Sequence, residues 1–133
     1  FHLCSIEVPL TCAQLVTQKY SAMYPLNRLV SEVFAVAKHD LTPSEVLDSI
    51  GGMHYYSLID TYDQARAERL LPIGLAKSAR VVRPVAIDTP ITLDDVELPS
   101  TTILTLRNLQ DEWMAGKVTE AEMLARIDGL ALD

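Results

Sequence analysis

The stretch Asp40-Leu41-Thr42-Pro43-Ser44-Glu45-Val46-Leu47 has an echo 44 residues on, in Pro84-Val85-Ala86-Ile87-Asp88-Thr89-Pro90-Ile91. Each copy pairs the end of a strand with a turn and then a new apolar position. Two copies are too few for a solenoid, in which stacked neighbours complete the core. The pattern predicts two related hairpin-like halves that fold over each other and bury the strands flanking both turns. Upstream of the first copy, Ser31 to Lys38 alternates loosely and is rich in Val, Phe and Ala, which predicts a strand ending at the Thr42-Pro43-Ser44 turn. Downstream of it, Gly51-Gly52 permits positive φ or a close backbone approach, and a short strand is expected in Met53–Ile59.

Between the two copies, Thr61 is placed to cap a short helix carrying Tyr62, Ala65, Arg69 and Leu70, with Pro72 as its stop. Two strand-like pieces follow, residues 79–86 and 90–98, joined by Ile87-Asp88-Thr89. The tail then changes to helical spacing. Ile103, Leu106, Leu109, Trp113 and Met114 mark one face of a helix over residues 101–115, with Gly116 at its C′ position. Thr119 and Glu122 have capping-box spacing for a last helix that ends near Gly129. At the other end, residues 2–8 have β-branched and apolar content, and Pro9 suits the first turn of a helix from about Leu10 to Tyr20. The order is α+β, unlike the regular βαβ alternation of a nucleotide-binding sheet.

The 133 residues suit one folded unit, and 49% apolar content supports a real core. A net charge of −7 offers no basic stripe for a phosphate backbone, so a nucleic-acid partner is not expected. No run approaches the roughly 20 apolar residues of a membrane span, and no basic-then-apolar leader is visible. A cytoplasmic chain without a membrane partner is the expectation. Phe1 lies inside the apolar run FHLCSIEVPL, which reads as the middle of a longer protein. Cys4 and Cys12 have no zinc-ligand spacing and are expected to be buried free thiols.

The segments AVAKHDLTPSEVLD and RPVAIDTPITLDDVEL resemble the opening and closing segments of the SAF domain, whose usual form is an Ala-Arg-Asp-Leu lead followed by Gly-Glu-x-Leu. Ser44 and Asp88 stand where that glycine would be. Both residue types suit turns, but neither favours a strongly left-handed backbone. The resemblance implies a β-clip core of short strands. A wider likeness, through FHLCSIEVPLTCA, VAKHDL, SIGGMHYYSL, LLPIGLAKSARVVRP and LRNLQDEW, is to the C-terminal third of homoserine-dehydrogenase-like oxidoreductases, including those like deoxyxylulose-phosphate reductoisomerase. This implies that residues 1–29 end a preceding catalytic domain or connect to it. Residues 30–98 are then the SAF-like β-clip, and residues 99–133 a helical tail. It also implies missing N-terminal Rossmann and catalytic domains that bind NADPH or NADH, and a homo-oligomer.

The chemistry-bearing residues give less. The glycines, at positions 51, 52, 74, 116 and 129, form no G-x-G-x-x-G, so no cofactor site and no complete oxidoreductase is expected in this chain. No catalytic residue is assigned. His2 and Glu7 on a regular strand point to opposite faces and do not converge. His2 alone, Lys38, Arg80 and Arg83 are the candidate substrate-binding residues, the cations as contacts for a phosphate or carboxylate. Against this, Asp40 is expected to order the 42–44 turn, and Lys38 to be a solvated strand residue. Gly51-Gly52 with His54, Tyr55 and Tyr56 reads either as a loop closing on a ligand or as a tight turn before a strand. Asp94, Asp95 and Glu97 diverge on a strand and read as a charged edge, so no metal site is expected. The accessory domain of an oxidoreductase is the leading expectation for function. The alternatives are a stand-alone module binding a sugar acid or sugar phosphate, and a structural assembly domain.

Overall fold

A computed structural model describes residues 3–21 and 28–130. Strand β1 (Ser31–Ala37) pairs antiparallel with β2 (Tyr55–Thr61), in the register Ser31 opposite Thr61 through Ala37 opposite Tyr55. Thr61 then caps α2 (Tyr62–Ala67), its hydroxyl accepting from the Gln64 N–H. One turn of helix, α3 (Ile73–Ala76), precedes a two-residue ladder of β3 (Arg80–Val81) with β4 (Val96–Glu97). Helices α4 (Thr102–Met114) and α5 (Glu120–Asp128) complete an α+β fold. The Thr119–Glu122 capping box of α5 is fully formed, and Gly116 takes φ +69° just beyond α4.

The 44-residue echo reappears as hydrogen bonds that come in related pairs. The Leu41 N–H donates to the Val85 carbonyl at 2.8 Å, and Val85 returns the bond at 3.1 Å. Ser44 donates to Val81 at 2.8 Å as Asp88 donates to Ala37 at 2.9 Å. Val81 donates to Glu45 at 2.8 Å as Ala37 donates to Thr89 at 3.0 Å, and Leu47 to Ala79 as Ile91 to Ala35, both at 2.9 Å. Each bond maps onto its counterpart when the two halves exchange places, which is a pseudo-two-fold. The core repeats it: Ala35, Ala37, Leu41 and Leu47 share one buried cluster with Ala79, Val81, Val85 and Ile91, the residues 44 positions on. Phe34 and Val36, on the opposite face of β1, join Ala65 and Leu70 in a second cluster. With both faces of β1 covered, its apolar alternation is only partial.

Ser44 and Asp88 both adopt a left-handed backbone, at φ +81° and +60°. The chain accepts this without glycine because each residue's N–H and flanking strands are held by the other half. Pro84 and Pro90 lack N–H donors, so residues 79–86 and 90–98 make isolated bridges such as Val36–Pro90 and Leu41–Val85. The expected long strands there reduce to β3 and β4.

The N-terminal expectation is overturned. Residues Cys4–Gln18 form one helix, α1, with Pro9 inside it, and among the described residues no strand precedes it. Leu3, Ile6, Leu10, Ala13 and Val16 recur at helical spacing straight through Pro9, and that period prevails over the β-branched content. No residue of α1 is buried, so Cys4 and Cys12 are free but exposed. Eight positions apart on a helix, they stand about 12 Å from each other, beyond disulfide reach.

Candidate functional site

The first half-turn of the fold gathers side chains that chemistry can use. Glu45 closes a clasp: its Oε1 accepts the Thr42 N–H at 2.8 Å and the Thr42 hydroxyl at 2.6 Å. Asp95 makes the same clasp on Thr92, at 2.9 and 2.6 Å, so the two related halves use the Thr-x-x-acid pattern alike, as the α5 capping box does again. The hydrogen bonds from Thr42 hold the Glu45 carboxyl below the usual carboxylate range.

Beyond Leu47 the chain turns sharply through Gly51, at φ +83°. The Asp48 carboxylate folds back over Gly52, where any Cβ would collide with it. Asp48 Oδ2 accepts the Met53 N–H at 2.5 Å, which with a weaker contribution from His54 lowers the Asp48 pKa despite some opposing burial. This turn delivers His54 beside Glu45 and Asp48. The His54 Nε2 lies 3.7 Å from Glu45 Oε2, and its fully buried Nδ1 lies 3.1 Å from Asp48 Oδ2. The Nδ1 contact is an ion-pair distance whose N–H direction misses the hydrogen-bond line. His39, at the end of β1, brings its ring centroid to 5.5 Å from that of His54, while its Nδ1 meets the Asp40 carbonyl oxygen at 2.9 Å.

The residues singled out from sequence are distributed differently. His2 lies outside the described residues. Lys38 stands beside the cluster, but its Nζ donates to the Gly52 carbonyl at 2.5 Å. Arg80 lies on β3 opposite Glu97, and Arg83 is near enough to Asp94 to feel its charge. The contacts of these three cations therefore run to different partners. Asp40 stabilises the second turn rather than the first, its Oδ1 accepting the Ile87 N–H at 2.8 Å. Asp94 is held by Arg69, whose Nε and Nη2 donate to it at 3.1 and 2.8 Å. Gly51 and Gly52 fulfil the two roles open to them, positive φ and close approach.

No protein-family model matches the chain, and no curated protein does. The geometry therefore carries the functional argument. A second feature is an open apolar groove of about 500 Å³ between α3, α4 and α5, lined by Leu75, Leu106, Trp113, Met123 and Ile127 among others. Its floor is fixed by a largely buried charge network. Arg107 binds Glu32 and, through Nε at 3.1 Å, Asp111, which also takes Arg66 at 2.8 Å and the Tyr62 hydroxyl at 3.0 Å. Burial opposes the Arg107 charge, and Glu32 and Asp111 outweigh it, so its pKa lies above the ordinary value. Among the described residues, no helix is long and apolar enough to cross a membrane.

In the sequence His39, Glu45 and His54 lie apart, at the end of the first strand, in the turn after it and beyond Gly51-Gly52. Their spacing matches no ligand motif. The signal for their meeting is indirect: the Thr42–Glu45 clasp and the Gly51-Gly52 turn each reverse the chain toward the end of β1.

Proposed function

We propose that this chain is the SAF-like β-clip accessory part of a larger NAD(P)-dependent oxidoreductase, where it shapes the substrate entrance and contributes to oligomer contacts. The observation that carries this reading is the pseudo-two-fold with left-handed turns at Ser44 and Asp88, the two positions where the SAF pattern has glycine. Glycine is the residue that such a backbone selects, so the match concerns conformation as well as letters. Helix α1 adds support. It exposes Leu3, Ile6, Val8, Leu10, Leu15 and Val16 by more than half each and buries nothing. A 15-residue helix interrupted by proline gains most of its stability by packing its apolar face on another body.

On this reading the cofactor and the reacting groups belong to sequence preceding this chain, and the β-clip supplies a rigid wall beside them. The gene upstream of Phe1 tests it. A strand leading into a glycine-rich turn and helix, in frame with this chain, is the expected result. A start codon immediately before Phe1 overturns the proposal. So does saturable NADPH binding by the 133 residues alone, followed by the quenching of protein fluorescence.

A further inference from the structure

The His39, Glu45 and His54 side chains each place one ligand atom within 4.8 Å of the others. We infer that these three residues form a binding site for a divalent transition-metal ion, best suited to Zn²⁺, at the mouth of the first turn. The donor set is two imidazoles and one carboxylate, a combination that zinc takes with a fourth position left open to water. Oxygen-preferring Mg²⁺ or Ca²⁺ demands more carboxylates and carbonyls than are present.

Three features beyond proximity support it. First, the His39 Nδ1 already meets the Asp40 carbonyl oxygen at 2.9 Å, while the buried His54 Nδ1 lies 3.1 Å from the Asp48 carboxylate without a hydrogen bond. An acceptor on one ring nitrogen of a ligating histidine fixes the tautomer and turns the other nitrogen to the metal, and the Asp40 carbonyl is so placed for His39. Second, Glu45 divides its oxygens. Oε1 is engaged by Thr42, and Oε2 faces His54 at 3.7 Å, so the carboxylate is oriented before any ion arrives. Third, the backbone is built for the approach. Gly52 has no Cβ where the Asp48 carboxylate sits, and the Lys38 Nζ is drawn aside to the Gly52 carbonyl. The ligand atoms need to close by up to about 1.5 Å to reach metal-ligand geometry, in which neighbouring donors stand roughly 3.3 Å apart. His39 is exposed and lies just beyond β1, so rotation of its side chain supplies that movement. Bound metal would tie the end of β1, the clasp and the start of β2 together.

The test uses the full chain with Cys4→Ser and Cys12→Ser, because exposed thiols are competing zinc ligands. Calorimetric titration with ZnCl₂ is expected to show one saturable site per chain, and Co²⁺ to give the visible absorption of a low-symmetry, four-coordinate ion. His39→Ala and His54→Ala are each expected to weaken Zn²⁺ binding at least tenfold. Zinc should also raise the melting temperature of the parent chain and not that of His39→Ala. Absence of saturable binding overturns the site, as does binding left unchanged by both histidine substitutions. If His54→Ala fails to fold by circular dichroism, His39→Ala carries the test, since its exposed side chain makes no contribution to either core cluster.

Discussion

Replacing Ser44 by glycine is expected to stabilise this protein, and the same change at the symmetry-related Asp88 is not. At φ +81°, Ser44 sits in a region that costs a residue with a Cβ about 1–2 kcal/mol. Glycine removes that strain but enlarges the freedom of the unfolded chain, an opposing effect of about 0.4–1 kcal/mol. The exposed Ser44 side chain makes no hydrogen bond that would be lost. The difference leaves a gain of about 0.5–1 kcal/mol, or roughly 2–5 °C in Tm for a chain of this size. Asp88, at φ +60°, tolerates the left-handed region better, and its Oδ1 accepts the Tyr56 hydroxyl at 3.2 Å. Asp88→Gly gives up that bond, worth about 0.5–1.5 kcal/mol, so its net effect is neutral or destabilising. Urea and thermal unfolding followed by circular dichroism measure both. A Ser44→Gly variant that melts below the parent, or an Asp88→Gly variant that gains more than Ser44→Gly, refutes the reasoning.

Three further outcomes follow from the same contacts. Arg107→Met should cost about 3–5 kcal/mol in urea unfolding, because it leaves Glu32 charged and largely buried without its partner, while Glu32→Leu with Arg107→Met should recover much of the loss. Gly52→Ala forces the Asp48 carboxylate aside and is expected to destabilise by about 1–3 kcal/mol, read as a lower denaturation midpoint. Glu45 and Asp48 both have pKa values lowered by folding, so the stability they lend is present above their unfolded values and is lost as pH falls through the folded ones. The Tm gap between the parent and Glu45→Gln/Asp48→Asn should therefore be full at neutral pH and shrink as pH falls below the ordinary carboxylate values near about 4; a gap that widens with falling pH contradicts the assignment.

How far the residues alone reveal this molecule depends on the range of the force at each place. Helices α4 and α5 are legible because their caps and apolar faces are local: Thr101 and Thr119 bond within their own first turns. Strand β1 and the Thr61 cap are legible for the same reason, whereas the pairing of β1 with β2 joins residues up to 30 positions apart. Helix α1 is misread because Pro9 and the β-branched residues before it carry a local signal for a break that its apolar period overrides. The shortness of β3 and β4 is likewise hidden, since prolines 84 and 90 matter only once a partner strand is in place. The pseudo-two-fold shows faintly as the 44-residue echo, but its left-handed turns run against the preferences of serine and aspartate. The histidine cluster is the least legible feature. His39, Glu45 and His54 meet only after a side-chain clasp and a glycine turn have both formed, and no periodicity records that.

The exchange of hydrogen bonds between halves also determines when the fold can exist. Every bond that closes the clip joins one half to the other, as Leu41 joins Val85 and Leu47 joins Ala79. A chain emerging from the ribosome at 5–20 residues per second therefore carries the first half for about 2–9 s before the second is complete. During that interval the edge from Leu41 to Leu47 has nothing of its own to pair with, and such edges recruit strands from other molecules. A second copy presents the identical complement. The cheapest error open to this chain is thus reciprocal exchange of halves between two molecules, which would satisfy every bond of the monomer and appear as a dimer whose yield rises with expression rate.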